Sequence, residues 1–231
     1  MSRPPQPAHP AQVGLDEIVE AIAHSIRNPL AGAVLRLEAL RHGAEPGSGE
    51  RDACDSALES LGRIARCIDG LVELTHPPSA APRALSMGAF FGAHRAGWRA
   101  SVERRGRTLR IAEPDPGLVA YADDALLSAS VDRLLDNAVE ATAFDATITI
   151  AACADEQGIA LKITNPGDLR DCDRSAAATP FRPAKARGLG IGLAIVRNAL
   201  RSMGGGLELR GGDARTTATL RLRAPSAEAA R

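Results

Sequence analysis

The chain has 231 residues, of which 45% are hydrophobic and only 3% aromatic, and its 28 Lys+Arg balance 28 Asp+Glu. That hydrophobic share suffices for a packed core, which excludes a wholly disordered protein. Zero net charge and few aromatics argue against nucleic acid, which calls for a basic field and stacking platforms.

Residues 1–13 contain Pro4, Pro5, Pro7 and Pro10 without a continuous apolar stretch, so a disordered Pro-rich head is expected and a signal peptide is not. No run approaches the roughly 18 apolar residues of a membrane span, and no membrane partner is expected. Cys54, Cys67, Cys153 and Cys172 form no C-x-x-C pair and read as ordinary thiols of a reducing compartment. The expected location is therefore the cytoplasm. A stimulus is expected to arrive through a separate sensor protein or a soluble ligand, since the head is too short for an input domain.

From residue 15 to residue 40 the apolar positions Leu15, Ile18, Val19, Ile22, Ile26, Leu30, Ala33, Val34, Leu37 and Leu40 follow a repeat of about 3.5 residues, predicting one long helix. Residues 42–50 (HGAEPGSGE) predict a turn. Leu58, Leu61, Ile64, Ala65, Ile68, Leu71 and Val72 then repeat the pattern in a second helix. A two-helix hairpin cannot enclose its own apolar stripe, so residues 14–76 predict a homodimer whose paired hairpins form a four-helix bundle.

Residues 77–84 read as a Pro-rich linker. Beyond it, strand-like stretches at 108–111, 147–152, 159–164, 206–209 and 217–222 alternate with helical stretches near 87–103, 123–142 and 190–203. Residues 85–224 thus predict an α/β two-layer domain and residues 225–231 a tail. The fold class is α+β.

Within the first helix lies His24-Ser25-Ile26-Arg27-Asn28-Pro29-Leu30. His24 falls between the stripe residues Ile22 and Ile26, on the solvated side, with Asn28 one turn further along the same face. A neutral imidazole there can attack a phosphoryl group in line, because phosphoryl transfer asks mainly for positioning and charge screening. By itself the pattern fits a surface histidine on a dimer helix better. Later, Gly188, Gly190 and Gly192 stand before an apolar helix, where bare backbone and a helix N-terminus suit phosphate.

In order, the motifs resemble the transmitter core of bacterial two-component sensor histidine kinases over residues 14 to 224. The histidine box surrounds His24, and residues 130–142 (SVDRLLDNAVEAT) resemble the N box. Residues 164–169 (TNPGDL), 179–185 (TPFRPAK) and 187–200 (RGLGIGLAIVRNAL) resemble the G1, F and G2 boxes. The closest flavour is the nitrogen-regulation group, from A-H-x-x-R-N-P-L and L-x-N-A-x-E-A. The resemblance implies a nucleotide-binding domain of the histidine kinase/GHKL ATPase type behind the helical hairpin. It also implies ATP and Mg²⁺ as cofactors and a response-regulator receiver domain as partner.

By the same resemblance His24 accepts phosphate, Asn28 orients water for removing phosphate from the regulator's aspartate, and Asn137 coordinates Mg²⁺. Asn165 and Gly167 hold adenine and its loop. Phe181, Lys185, Arg187, Gly188, Gly190 and Gly192 form the lid and phosphate cradle. Four residues depart from the pattern. Ser25 replaces the acid that assists the histidine; a serine cannot take up a proton near neutral pH, so a slowed autokinase is expected. Asn165 replaces the adenine-binding aspartate, keeping an acceptor oxygen but not its charge. Leu169 replaces a lid glycine. Arg133, one turn before Asn137, either pairs with phosphate or obstructs it, and as a cation it cannot be the water-activating base of gyrase-like ATPases. The alternatives are an ATP-independent phosphotransfer adaptor and a regulator phosphatase using Asn28.

Overall fold

The computed structural model describes residues 15–75, 79–167 and 191–225. The chain divides into two compact units, residues 1–76 and 77–231.

The first unit is an antiparallel pair of helices, α1 (Leu15–Gly43) and α2 (Gly49–Thr75). Val19, Ala23 and Ile68 are buried between them, and Gly70 is buried on α2. Arg27 pairs with Asp69 at 2.8 Å and Arg41 with Asp55 at 3.4 Å. These exposed pairs fix register more than they stabilise, at no more than about 1 kcal/mol each. Helix α1 ends one turn later than its apolar stripe, with Arg41 and His42 in its last turn, while Glu50 and Asp52 open α2. Both charge placements suit the helix dipoles. Helix α1 continues through Pro29. Ile18, Ile22, Ile26, Leu35, Leu40 and Ile64 stay exposed on this single chain.

The second unit runs β1 (Arg83–Ser86), α3 (Met87–Glu103), β2 (Thr108–Ile111), β3 (Val119–Ala122), α4 (Asp124–Ala141), β4 (Thr147–Asp155), β5 (Gly158–Pro166), α5 (Gly192–Ser202), β6 (Gly206–Gly212) and β7 (Arg215–Leu222). Strands β2-β4-β5-β7-β6 form one sheet, parallel between β2 and β4 and antiparallel elsewhere. Alternation decides its inner face: Ile148 and Ile150 of β4, Leu161 and Ile163 of β5, and Leu220 and Leu222 of β7 are buried. Against that face pack Phe90, Phe91 and Trp98 of α3, Leu127, Val131 and Leu135 of α4, and Val196 and Leu200 of α5, all in one apolar core. Each fully buried Leu, Ile or Phe contributes about 1.5–3 kcal/mol, so this layer contact holds the unit together.

Strands β1 and β3 were not anticipated. They form a separate antiparallel pair, with Arg83 opposite Ala122, and β1 begins inside the segment that reads as linker. The pair sets the entry of two helices. Ser86 caps α3, its hydroxyl accepting from the Ala89 amide at 3.4 Å, and Asp123 caps α4, accepting from Leu126 at 3.1 Å. At the β4–β5 turn Gly158 has φ +116°, and a Cβ there would lie 2.8 Å from the Leu222 carbonyl oxygen, so only glycine fits.

Candidate functional site

Helix α4 presents Arg133, Asn137 and Ala141 at successive i, i+4 positions, one row along one face. Asn137 is exposed and Arg133 half-buried. Gly192, the first residue of α5, stands across from Asn137: a Cβ on it would lie 3.9 Å from Asn137 Nδ2 and 4.0 Å from Oδ1. Gly167, at φ +116° just past β5, stands across from the next turn, where a Cβ would lie 3.7 Å from the Ala141 carbonyl oxygen. Two turns with bare backbone thus flank one side of α4. The structure brings Asn137 and Gly192 of two distant boxes together.

Among the described residues the amino end of α5, which faces this groove, has no side-chain cap, whereas α3 and α4 are capped. First-turn amides and the positive dipole end form an environment suited to an anion. At the other end of the groove Asn165 is only 6% exposed and lies on the inner face of β5 with Ile163. Its amide nitrogen donates to the Pro166 carbonyl at 2.9 Å, which leaves the oxygen as the group able to accept an incoming N–H.

Strand β7 secures this end in a way motif reading missed. Thr216 lies opposite Asn165 in register, and its hydroxyl donates to the Gly167 carbonyl at 2.8 Å. The Thr164 and Thr217 hydroxyls meet at 3.0 Å, and the Gly167 amide donates to Ala214. The only local hint was a pair of adjacent threonines in a strand, which by itself signals β-propensity and nothing more.

Asp132 and Asp136 lie on a different row of α4, turned toward α3. Burial pushes the Asp132 carboxyl above its ordinary value, the Asp136 charge adds to this, and His94 and a hydrogen bond from Trp98 oppose it. Asp136 pairs with Arg105. These acids therefore belong to the α3–α4 contact. Among the described residues no three His, Cys, Asp or Glu side chains cluster to hold a metal.

In the first unit His24 and Asn28 are both exposed on one face of α1, as their spacing requires. Between them Arg27 is tied to Asp69. Ser25 turns its hydroxyl back into the helix and donates to the Ile22 carbonyl at 2.8 Å. Phe181, Lys185, Arg187, Gly188 and Gly190, with the departing Leu169, lie outside the described residues.

Residues 122–226 match the family described as histidine kinase-, DNA gyrase B-, and HSP90-like ATPase. The chain is similar in fold to ShkA, whose full-length crystal structure is of a complex with AMPPNP, with a TM-score of 0.68 at 18% identity over 92% of this chain and 47% of that one. The second unit thus has the α/β fold of a histidine kinase-type ATPase domain, and a helical hairpin precedes it in the chain. In sequence the chain is 26% identical to the sensor histidine kinase ZraS of Escherichia coli (strain K12), over 85% of this chain and 43% of that one. It is 24% identical to the nitrogen regulation protein NtrY of Azorhizobium caulinodans, over 92% of this chain and 29% of that one. These likenesses support a two-component histidine kinase core, and the chain spans less than half the length of these curated relatives. Among the described residues no helix is long and apolar enough to cross a membrane.

Proposed function

We propose that the protein is a cytoplasmic, dimeric histidine-kinase-type signalling protein that binds ATP·Mg²⁺ and exchanges phosphate between His24 and a response-regulator aspartate. The observation that carries this is the juxtaposition of Asn137 with Gly192 at the amino end of α5. A cradle that a single Cβ would narrow, lined by one amide oxygen and the first-turn amides of a helix, fits a nucleotide phosphate chain. Magnesium, when bound, screens phosphate charge, with the Asn137 oxygen as one ligand and phosphate and water completing the shell.

Residues 85–224 act as the ATP-binding domain, in which Asn165 accepts from the adenine amino group. The lid and cradle residues Phe181, Lys185, Arg187, Gly188 and Gly190 complete the site. Residues 14–76 act as the dimerisation and phosphotransfer domain. There a ring nitrogen of His24 forms the N–P bond as the bond from the terminal phosphorus to the bridging oxygen breaks; that oxygen leaves with the electron pair on ADP. The ring must then lose a proton, and the inward-turned Ser25 hydroxyl gives it no base. Autokinase activity is accordingly slow. Placement closest to the nitrogen-regulation group rests on the A-H-x-x-R-N-P-L and L-x-N-A-x-E-A patterns.

Incubation with γ-labelled ATP and Mg²⁺ tests the assignment. Wild type acquires acid-labile label slowly, Ser25→Glu acquires it roughly tenfold or more faster, and His24→Gln acquires none. Equal labelling of all three sinks the assignment. The exposure of Asn28 one turn from His24 also favours a regulator-phosphatase activity, which Asn28→Ala removes without abolishing the label on His24.

A further inference from the structure

The reading of His24 as the phosphate acceptor leaves its proton without a destination. We propose that Glu20 receives it, serving as a positioning residue that replaces from the preceding turn the acid missing at Ser25; this rests on the function proposed above. Within one helical turn of His24 on α1 the neighbours are Glu20, Ala21, Ala23, Ser25, Arg27 and Asn28. Ser25 is engaged with Ile22, and Arg27 with Asp69 of α2. Glu20 is the carboxylate that remains.

Three features of the helix make it suitable. Residues four apart share a face, about 6 Å apart along the axis, so Glu20, His24 and Asn28 form one exposed row. Helical side chains lean toward the amino end and over the preceding turn, which sends the His24 ring toward Glu20 and away from Asn28. Among the described residues Glu20 has no ion-pair partner, while Asp69 of α2 is paired with Arg27. A carboxylate there can hold the ring through its N–H and accept that proton, then lose it to solvent, as the opposite ring nitrogen bonds phosphorus. A serine hydroxyl cannot do so.

The arrangement predicts reciprocal behaviour at positions 20 and 25. The initial rate of γ-labelled ATP incorporation is measured for wild type, Glu20→Gln, Ser25→Glu and the double variant Glu20→Gln/Ser25→Glu. Melting temperature and affinity for a non-hydrolysable ATP analogue are followed in parallel. Glu20→Gln is expected to lose roughly fivefold or more in rate, with melting and analogue affinity unchanged, and the double variant to recover at least the wild-type rate. A smaller loss, a loss accompanied by weaker analogue binding or lower melting, or a loss that Ser25→Glu does not restore, overturns the proposal. Failure of wild type and Ser25→Glu alike to take up label overturns the kinase reading itself, and so is distinguishable from failure of Glu20 alone.

Discussion

Replacing Gly192 by alanine separates the groove's function from its stability. The backbone at Gly192 is not in the left-handed region, and among the described residues the added Cβ meets only the Asn137 amide, at 3.9 and 4.0 Å, which is ordinary contact. The fold therefore accommodates the methyl without strain. Alanine is up to about 1 kcal/mol better than glycine inside a helix, and less at a first turn, so melting should hold steady or rise by no more than roughly 4 °C. The same methyl narrows the space between Asn137 and the α5 amides, where a phosphate would lie. Loss of one charge-assisted hydrogen bond costs about 1.5–3 kcal/mol, which is roughly a tenfold to hundredfold loss in nucleotide affinity. Titration calorimetry with a non-hydrolysable ATP analogue, beside melting of the free protein, reads both quantities. Analogue affinity within about threefold of wild type refutes the placement of phosphate between Asn137 and Gly192; a marked fall in melting temperature refutes the strain-free accommodation.

Two further outcomes follow from the packing. Ile22→Arg should convert the proposed dimer to a monomer in sedimentation velocity, because Ile18, Ile22 and Ile26 are 44%, 48% and 39% exposed on the single chain. Burial of one isoleucine is worth about 1.5–3 kcal/mol and symmetry counts it twice, so dissociation should rise on the order of a hundredfold or more; a dimeric Ile22→Arg variant contradicts the proposed interface. Asp123→Ala should destabilise the second unit by about 1 kcal/mol through loss of the α4 cap, and Asp123→Asn by much less. Hydrogen bonds from the Ala81 amide, then that of Leu126, hold the Asp123 carboxyl below its ordinary value. Its ionic contribution is thus fully present above the unfolded value of about 3.9 and disappears as pH falls through the lower folded one. The melting gap between wild type and Asp123→Asn should close across that acid range, and a gap that is constant with pH counts against the linkage.

How much was legible varies by element. The long strands β4, β5 and β7 alternate cleanly, and α1, α2 and α4 carry apolar stripes, so local periodicity suffices to find them. Strands β1 and β3 have four residues each and pair across a sequence gap that includes all of α3 and β2. Their evidence is the pairing itself, with Ala120 and Ala122 fully buried beside it. At the site, Asn137 and Gly192 were recognisable as separate motifs, whereas the Thr216 support for Gly167 was not, since nothing local distinguishes a threonine that braces a turn from one that merely suits a strand.

By itself the sequence determined the order of parts: a helical hairpin bearing His24 and Asn28 on one solvated face, then an α/β domain with glycines ahead of a helix. These follow from chemistry repeated at short range, namely side-chain period and backbone permissiveness. Only the tertiary structure decided that Arg27 is held by Asp69 and that Gly192 stands within contact of Asn137. Each depends on which neighbour a group can reach once helices and strands have packed, and that choice is made between residues whose separation along the chain carries no signal of their meeting.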